Sequence, residues 1–128
     1  MKMALLVPPS LRPEVAGIAD GKKLKPPLGP LALASVLGDD HDVSIIDGQL
    51  RRHSVGSVAQ TIGDLQPDLL GISLPFSSLW VPGTQIAGDV RDAMGPDLPI
   101  MWGGNVATFR YEDLLRNDDA DIVVRYEA

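Results

Sequence analysis

At 128 residues with no cysteine, the chain is sized for one domain, residues 1–128, and can build no disulfide, thiolate nucleophile or thiolate-held iron–sulfur cluster. Its hydrophobic share of 45% and charged share of 22% are those of a globular protein. A net charge of −6 speaks against a nucleic-acid partner, because phosphate binding needs a cationic face.

Short β-like runs alternate with helical patterns, the signature of a parallel sheet covered by crossover helices. The first strand is Met3 to Val7, continuously apolar and therefore buried on both faces, and Pro8-Pro9 stops it. A long loop runs from Ser10 to Pro27. Leu28 to Leu37 reads as the first helix, with Pro30 in its first turn, where a missing N–H costs nothing, and Gly38 after its end. Leu28, Leu31, Ala32 and Ser35 recur along it at helical spacing. Val43 to Ile46 is the second strand. Val55 to Leu65 is the second helix with Ser54 as its N-cap, and Leu69 to Leu74 is the third strand. Val81 to Met94 is the third helix, with Pro82 at its start and Ile86, Val90, Ala93 and Met94 as its apolar face. Ile100 to Trp102, Tyr111 to Leu115 and Ile122 to Val124 are the fourth strand, a short fourth helix and the fifth strand. The expected fold is α/β, a Rossmann-like or flavodoxin-like three-layer sandwich around a five-stranded parallel sheet.

The apolar run at the amino terminus is shorter than a signal-peptide core, and no stretch approaches the ~20 apolar residues that span a bilayer. The expectation is a cytoplasmic protein without a membrane partner. A doubly wound sheet normally adds one more helix after its fifth strand, and the sequence closes just past that strand. An uncovered sheet face there would find a partner: the rest of a longer enzyme, a second copy in a homodimer, or another protein.

Open parallel sheets bind ligands beyond the carboxyl ends of their strands, where strand order reverses. That rule selects Pro9 and Ser10, the Asp47-Gly48-Gln49 turn, the stretch from Leu74 to Trp80, Gly103 to Thr108, and Arg125-Tyr126. The first loop lacks the Gly-x-Gly-x-x-Gly spacing that brings a backbone onto a pyrophosphate, so Asp47 is a weak match to a ribose-binding acid. Acids are also missing after the first and third strands, which argues against a phosphoacceptor receiver. Ser73, Ser77 and Ser78 either close turns or hydrogen-bond a ligand at that edge, and both readings stand. Phe76, Leu79 and Trp80 cover a flat apolar ligand or plug their own core. Gly103 and Gly104 permit positive φ or a close approach, and Asn105 and Thr108 then cap a helix or donate to a ligand. His41 is a turn residue at the opposite edge, and His53 stands on the functional edge. Lys22, Lys23 and Lys25 form the one basic cluster, a solvated loop or a contact for an anionic group. Asp39-Asp40 and Asp118-Asp119 read as solvated turns, and no His–acid–Ser arrangement follows from spacing.

Several of these segments, in this order, resemble the cobalamin-binding domain at the amino end of many radical-SAM enzymes. Lys25-Pro26-Pro27-Leu28-Gly29 is similar to that family's opening Pro-Leu-Gly helix, and His41-Asp42-Val43 with Ile45-Ile46-Asp47 to its second strand. Pro67-Asp68 with Gly71-Ile72-Ser73 resembles its third, Gly103-Gly104 through Thr108 its Gly-Gly-Pro-His-Ala-Thr segment, and Asp121 to Arg125 its closing Asp-x-Val-Val-Arg-Gly-Glu-Gly. Asn105-Val106 replaces Pro-His, and Tyr126 replaces a glycine, where its side chain would crowd the loop. The Asp-x-His-x-x-Gly motif that supplies a lower axial histidine in other cobalamin domains is absent, as it commonly is in the radical-SAM branch.

The resemblance implies a module that holds and orients (methyl)cobalamin for a radical-SAM protein or domain, in methyl transfer or related biosynthetic chemistry, and that is not catalytic alone. The corrin would lie on the carboxyl edge with its nucleotide tail between sheet and helices. The residues implied are Pro9, Ser10, Leu28, Gly29, Ser73, Leu74, Ser77, Ser78, Gly103, Gly104, Asn105, Thr108, Arg125 and Tyr126. Two alternatives remain open: a relative that has lost cobalamin and serves as a structural or regulatory subunit, and a small nucleotide- or flavin-binding enzyme on the same edge.

Overall fold

The computed structural model of the chain describes residues 1–10, 26–50 and 53–126. The lysine cluster at 22–25, most of the long loop and Glu127-Ala128 lie outside the described residues. Five strands form one parallel sheet: β1 (Lys2–Val7), β2 (Asp42–Asp47), β3 (Leu69–Ser73), β4 (Ile100–Gly103) and β5 (Ile122–Val123). Their order is β2-β1-β3-β4-β5, so the direction of winding reverses between β1 and β3. Between strands run α1 (Leu28–Leu37), α2 (Val55–Leu65), α3 (Trp80–Met94), and the short α4 (Asn105–Phe109) and α5 (Tyr111–Arg116). This is the expected α/β architecture, with each described strand within two residues of its reading from sequence.

Right-handed crossovers on either side of the reversal put α1 on one face of the sheet and α2 and α3 on the other. The second face holds the main core. Ala4, Leu6, Leu70, Ile72, Ile100 and Trp102 are buried there against Val58 and Ile62 of α2 and Ile86, Ala87 and Val90 of α3. Ala93, expected on the apolar face of α3, is exposed, and Ala87 is buried beside Ile86 and Val90 instead. α2 begins with a reciprocal cap: Ser54 Oγ accepts the Ser57 N–H, and Ser57 Oγ accepts the Ser54 N–H, each at 3.0 Å.

α1 packs on β1 and β2, and only Pro30 within it is fully buried. The stripe of Leu28, Leu31, Ala32 and Ser35 faces solvent, with Leu28 72% exposed. The helix is apolar or small on every side, so periodicity alone could not choose its buried face. Gly104 is left-handed in sense, with φ +98°, and starts α4, a helix not among the elements read from the sequence. A Cβ at Gly104 would lie 2.8 Å from the Leu74 carbonyl oxygen, so no other residue fits.

Trp102 is completely buried, and its indole N–H donates to the Asp119 carbonyl at 2.7 Å. A Cβ on Gly83 of α3 would meet the Trp102 ring at 3.1 Å, so glycine lets that helix sit against the indole. Asp119 is half-buried rather than simply solvated, and burial raises its carboxyl above the usual range. At the amino edge, Asp121 joins α3, β4 and β5: its carboxylate accepts Arg91 Nη2 at 2.9 Å and the Ile100 N–H at 2.8 Å. His41 occupies the turn before β2, as expected, with its Nδ1 buried and unpaired among the described residues.

Trp102→Ala should lower the unfolding free energy by about 3–5 kcal/mol, read by urea denaturation, because it empties the core and orphans the Asp119 carbonyl. A second expectation concerns acid. Burial works to raise the Asp121 carboxyl, but the Ile100 N–H and the Arg91 guanidinium outweigh it and hold it below the usual range. A depressed carboxyl contributes stability that is present above its unfolded pKa and is lost as pH falls through its folded one. The urea midpoint should therefore decline below about pH 4, and less steeply in Asp121→Asn; partial exposure keeps the difference small.

Candidate functional site

The loops beyond the carboxyl ends of the strands hold one another by backbone and side-chain bonds. After β1 and β2, the Gly48 N–H donates to the Val7 carbonyl at 2.8 Å, and Gln49 Nε2 donates to the Pro8 carbonyl at 2.6 Å. A Cβ at Gly48 would stand 2.5 Å from the Pro9 nitrogen, so this crossing of loops requires glycine. Ser10 Oγ donates to Gln49 Oε1 at 3.4 Å, and the Asp47 carboxylate accepts the Gln49 N–H at 3.0 Å. Asp47 therefore closes its own turn. After β3 and β4, the Leu74 N–H donates to the Gly103 carbonyl, and the Val106 N–H to the Leu74 carbonyl.

Between α1 and the sheet lies a cavity of about 440 Å³. Its floor is a row of registered residues, Leu5 on β1, Gly71 on β3 and Met101 on β4. Gly29, Pro30 and Leu33 of α1 form one wall, and Val124 and Tyr126 the other. Toward the carboxyl edge the lining passes through Ser73, Gly103 and Gly104. A Cβ at Gly71 would come within 2.8 Å of Leu5 Cδ2, so glycine lets Leu5 lie across the floor. At Gly103 a Cβ would make only ordinary contact, 3.9 Å from Val124 Cβ. Packing does not demand glycine there, yet Gly103 is two residues from Met101 on the same sheet face, so a side chain would enter the cavity.

Thr108 is the one buried polar side chain among the described residues. Its hydroxyl donates to the Gly104 carbonyl at 3.0 Å and accepts the Tyr126 N–H at 2.9 Å. That bond holds Tyr126 at φ +63°, left-handed backbone that a glycine takes freely and a tyrosine takes at a cost. Tyr126 does not fill the site: it is 70% exposed at the cavity's edge, and the space beside it stays open. Arg125 Nε donates to the Thr108 carbonyl at 3.3 Å, and its guanidinium lies 4.0 Å from the centre of the Tyr111 ring. Arg110 stacks on Trp80 in the same manner at 3.9 Å. Trp80 therefore starts α3 beneath an arginine and leaves the rim clear. Of six aromatic residues, five (Phe76, Trp80, Phe109, Tyr111 and Tyr126) stand beyond the carboxyl ends of the strands, and only Trp102 is in the core.

The structure gathers Gly29, Ser73, Gly103, Gly104 and Tyr126 around the cavity. Asn105 and Thr108 line a shallower depression beside it, shared with Phe109 and Tyr126. Pro9 and Ser10 are engaged with the β2 loop, and Leu28 points to solvent. Leu74 is a core residue whose backbone supports β4 and α4. Ser77 and Ser78 are exposed in a 3₁₀ turn, Ser77–Leu79, whose Leu79 is buried in the core. The floor residues Leu5, Gly71 and Met101, and the wall residue Val124, escaped the sequence reading. Gly71 carried the one available signal, a glycine inside an apolar strand. Neither His41 nor His53 lines the cavity, and no group of three metal-ligating side chains occurs among the described residues.

No described helix is long and apolar enough to cross a membrane. The chain is 33% identical to the uncharacterized methyltransferase PH0819 of Pyrococcus horikoshii, across 99% of this chain and 27% of that protein. In fold it is similar to the cobalamin-dependent S-adenosylmethionine radical enzyme OxsB with aqua-cobalamin and S-adenosylmethionine bound, at a TM-score of 0.72 and 20% identity, across 99% of this chain and 17% of the other. It is also similar to a cobalamin-binding protein from Desulfitobacterium hafniense, at a TM-score of 0.65 and 13% identity, across 96% of this chain and 52% of the other. The chain thus spans about a quarter of the curated relative. The B12 binding domain model matches residues 16–128, the greater part of the sequence and nearly all of the cavity. The chain belongs to the B12-binding domain family, and its cofactor is cobalamin.

Proposed function

We propose that the chain holds and orients cobalamin for a radical-SAM protein or domain, in methyl transfer or related biosynthetic chemistry. The observation that carries this is the apolar cavity of about 440 Å³ between α1 and the sheet, opening past Ser73, Gly103 and Gly104 at the carboxyl edge. It suits the nucleotide tail of a corrinoid, and the exposed Tyr126 ring at its edge suits the flat corrin. Cobalamin, when bound, supplies the cobalt chemistry; the protein supplies position and a dry surface. In this reading Gly103 and Gly104 keep the entrance free of side chains. Thr108 fixes the last turn by holding the Tyr126 N–H, and Arg125 is kept in place by Tyr111 and the Thr108 carbonyl. The likeness to the methyltransferase PH0819 and to the S-adenosylmethionine radical enzyme OxsB supports the methyl-transfer and radical-SAM parts of the reading.

Hydroxocobalamin mixed with the protein should co-elute on gel filtration with a visible corrinoid spectrum. A corrin-free protein peak would sink this reading and favour a subunit that has lost the cofactor. Gly103→Leu should weaken retention about tenfold or more while leaving the thermal transition near its original position, since only the cavity is filled. Thr108→Val should speed amide exchange at Tyr126 and lower stability by about 1–3 kcal/mol, because it leaves that N–H and the Gly104 carbonyl without the hydroxyl.

A further inference from the structure

A corrinoid tail ends in a bicyclic base, and the interior of the cavity distinguishes two chemical kinds. We propose, building on the reading above, that the cavity selects corrinoids whose tail carries an apolar benzimidazole base over those that carry a purine. Leu5 and Met101 on the floor, Pro30 and Leu33 on α1, and Val124 opposite present only hydrocarbon or thioether to an occupant. No Asp, Glu, Lys, Arg, His, Asn or Gln is among the described lining residues.

The backbone of the floor is also committed. β3 pairs with β1 on one side and β4 on the other, and β4 pairs with β5, so the peptide groups beneath Gly71 and Met101 belong to the sheet ladder. Two hydroxyls remain, and both belong to the entrance. Ser73 is the last residue of β3, and the Tyr126 hydroxyl lies outward, 3.1 Å from Arg125 Nη2. An occupant's deeper polar atoms therefore meet no described side-chain partner.

Dimethylbenzimidazole and adenine have nearly the same outline, so shape does not separate them. Polarity does. The first turns a benzene ring and two methyl groups inward. The second turns inward an amino group and ring nitrogens that leave water and go unpaired. A buried polar group without a partner weakens binding by about tenfold to a hundredfold. The same difference makes the lining, rather than the rim, the element that reads the base.

The test compares three corrinoids on the intact chain by equilibrium dialysis with visible detection: hydroxocobalamin, its adenine-bearing counterpart, and cobinamide, which lacks the tail. Hydroxocobalamin should bind at least about tenfold more tightly than either of the others. Equal affinity for the benzimidazole and adenine forms, with cobinamide weak, would overturn the selectivity and leave the tail in the cavity. Cobinamide as tight as hydroxocobalamin would overturn it by showing that the tail contributes nothing. Retention of no corrinoid would remove the cobalamin-holding reading and this inference with it. Met101→Gln, which puts an amide on the floor, should narrow the ratio between the benzimidazole and adenine forms. An unchanged ratio in a variant with a wild-type thermal transition would place the discrimination outside the cavity and overturn the proposal.

Discussion

The indole of Trp102 joins more of this molecule than any other side chain. Its ring lies against α3 because Gly83 presents no Cβ to it, its N–H holds the Asp119 carbonyl, and its backbone carbonyl accepts the Val124 N–H. The main core, the approach to β5 and the wall of the cavity thus share one residue. Burying so large a ring is strongly favourable, and its single polar group is paired, so the packing carries no offsetting penalty from an unsatisfied donor. The cavity on the other face can exist because the core on this one is complete. Interiors normally fill to crystal-like density, and a space of this size is kept open only where something else specifies its walls.

Those walls come from glycines and from a single hydroxyl. Gly104 is needed by the backbone, whereas Gly103 is tolerated there and its lack of a side chain benefits the space. Thr108, buried and bonded twice, anchors the far wall at Tyr126. The left-handed backbone at Tyr126 costs roughly 1 kcal/mol relative to glycine. In exchange the chain gains a ring at the entrance and a partner for Arg125. The tyrosine that departs from the family's glycine is accommodated, at a small local cost, without closing the site.

The rim carries little of the fold's stability. Arg110 on Trp80 and Arg125 on Tyr111 are partly exposed contacts, each contributing on the order of 0.5–1 kcal/mol. Their effect is to fix aromatic rings in place around the carboxyl edge. A fold of this kind hosts many functions, and what separates them is this edge, where the chain puts five of its six aromatic residues. The sheet supplies position; the loops and the lining supply chemistry.

Element type and order were legible in the residues themselves. Apolar runs bounded by Pro and Gly marked the strands, Ser54 marked the start of α2, and the ordered motifs from Lys25 to Arg125 pointed to the family. Those signals are local, and local physics decides them. α4 was missed because five residues are too few to display a helical period. The floor of the cavity was invisible for a different reason. Strands apolar on both faces show that two surfaces exist but not which of them looks toward α1. Leu5, Gly71 and Met101 become neighbours only through pairing across 96 positions of chain, from residue 5 to residue 101. The sequence by itself determined the elements, their order and the edge where a ligand belongs. Only the handed crossovers and the strand register, which are properties of the assembled sheet, decided which face stayed open and which side chains line it.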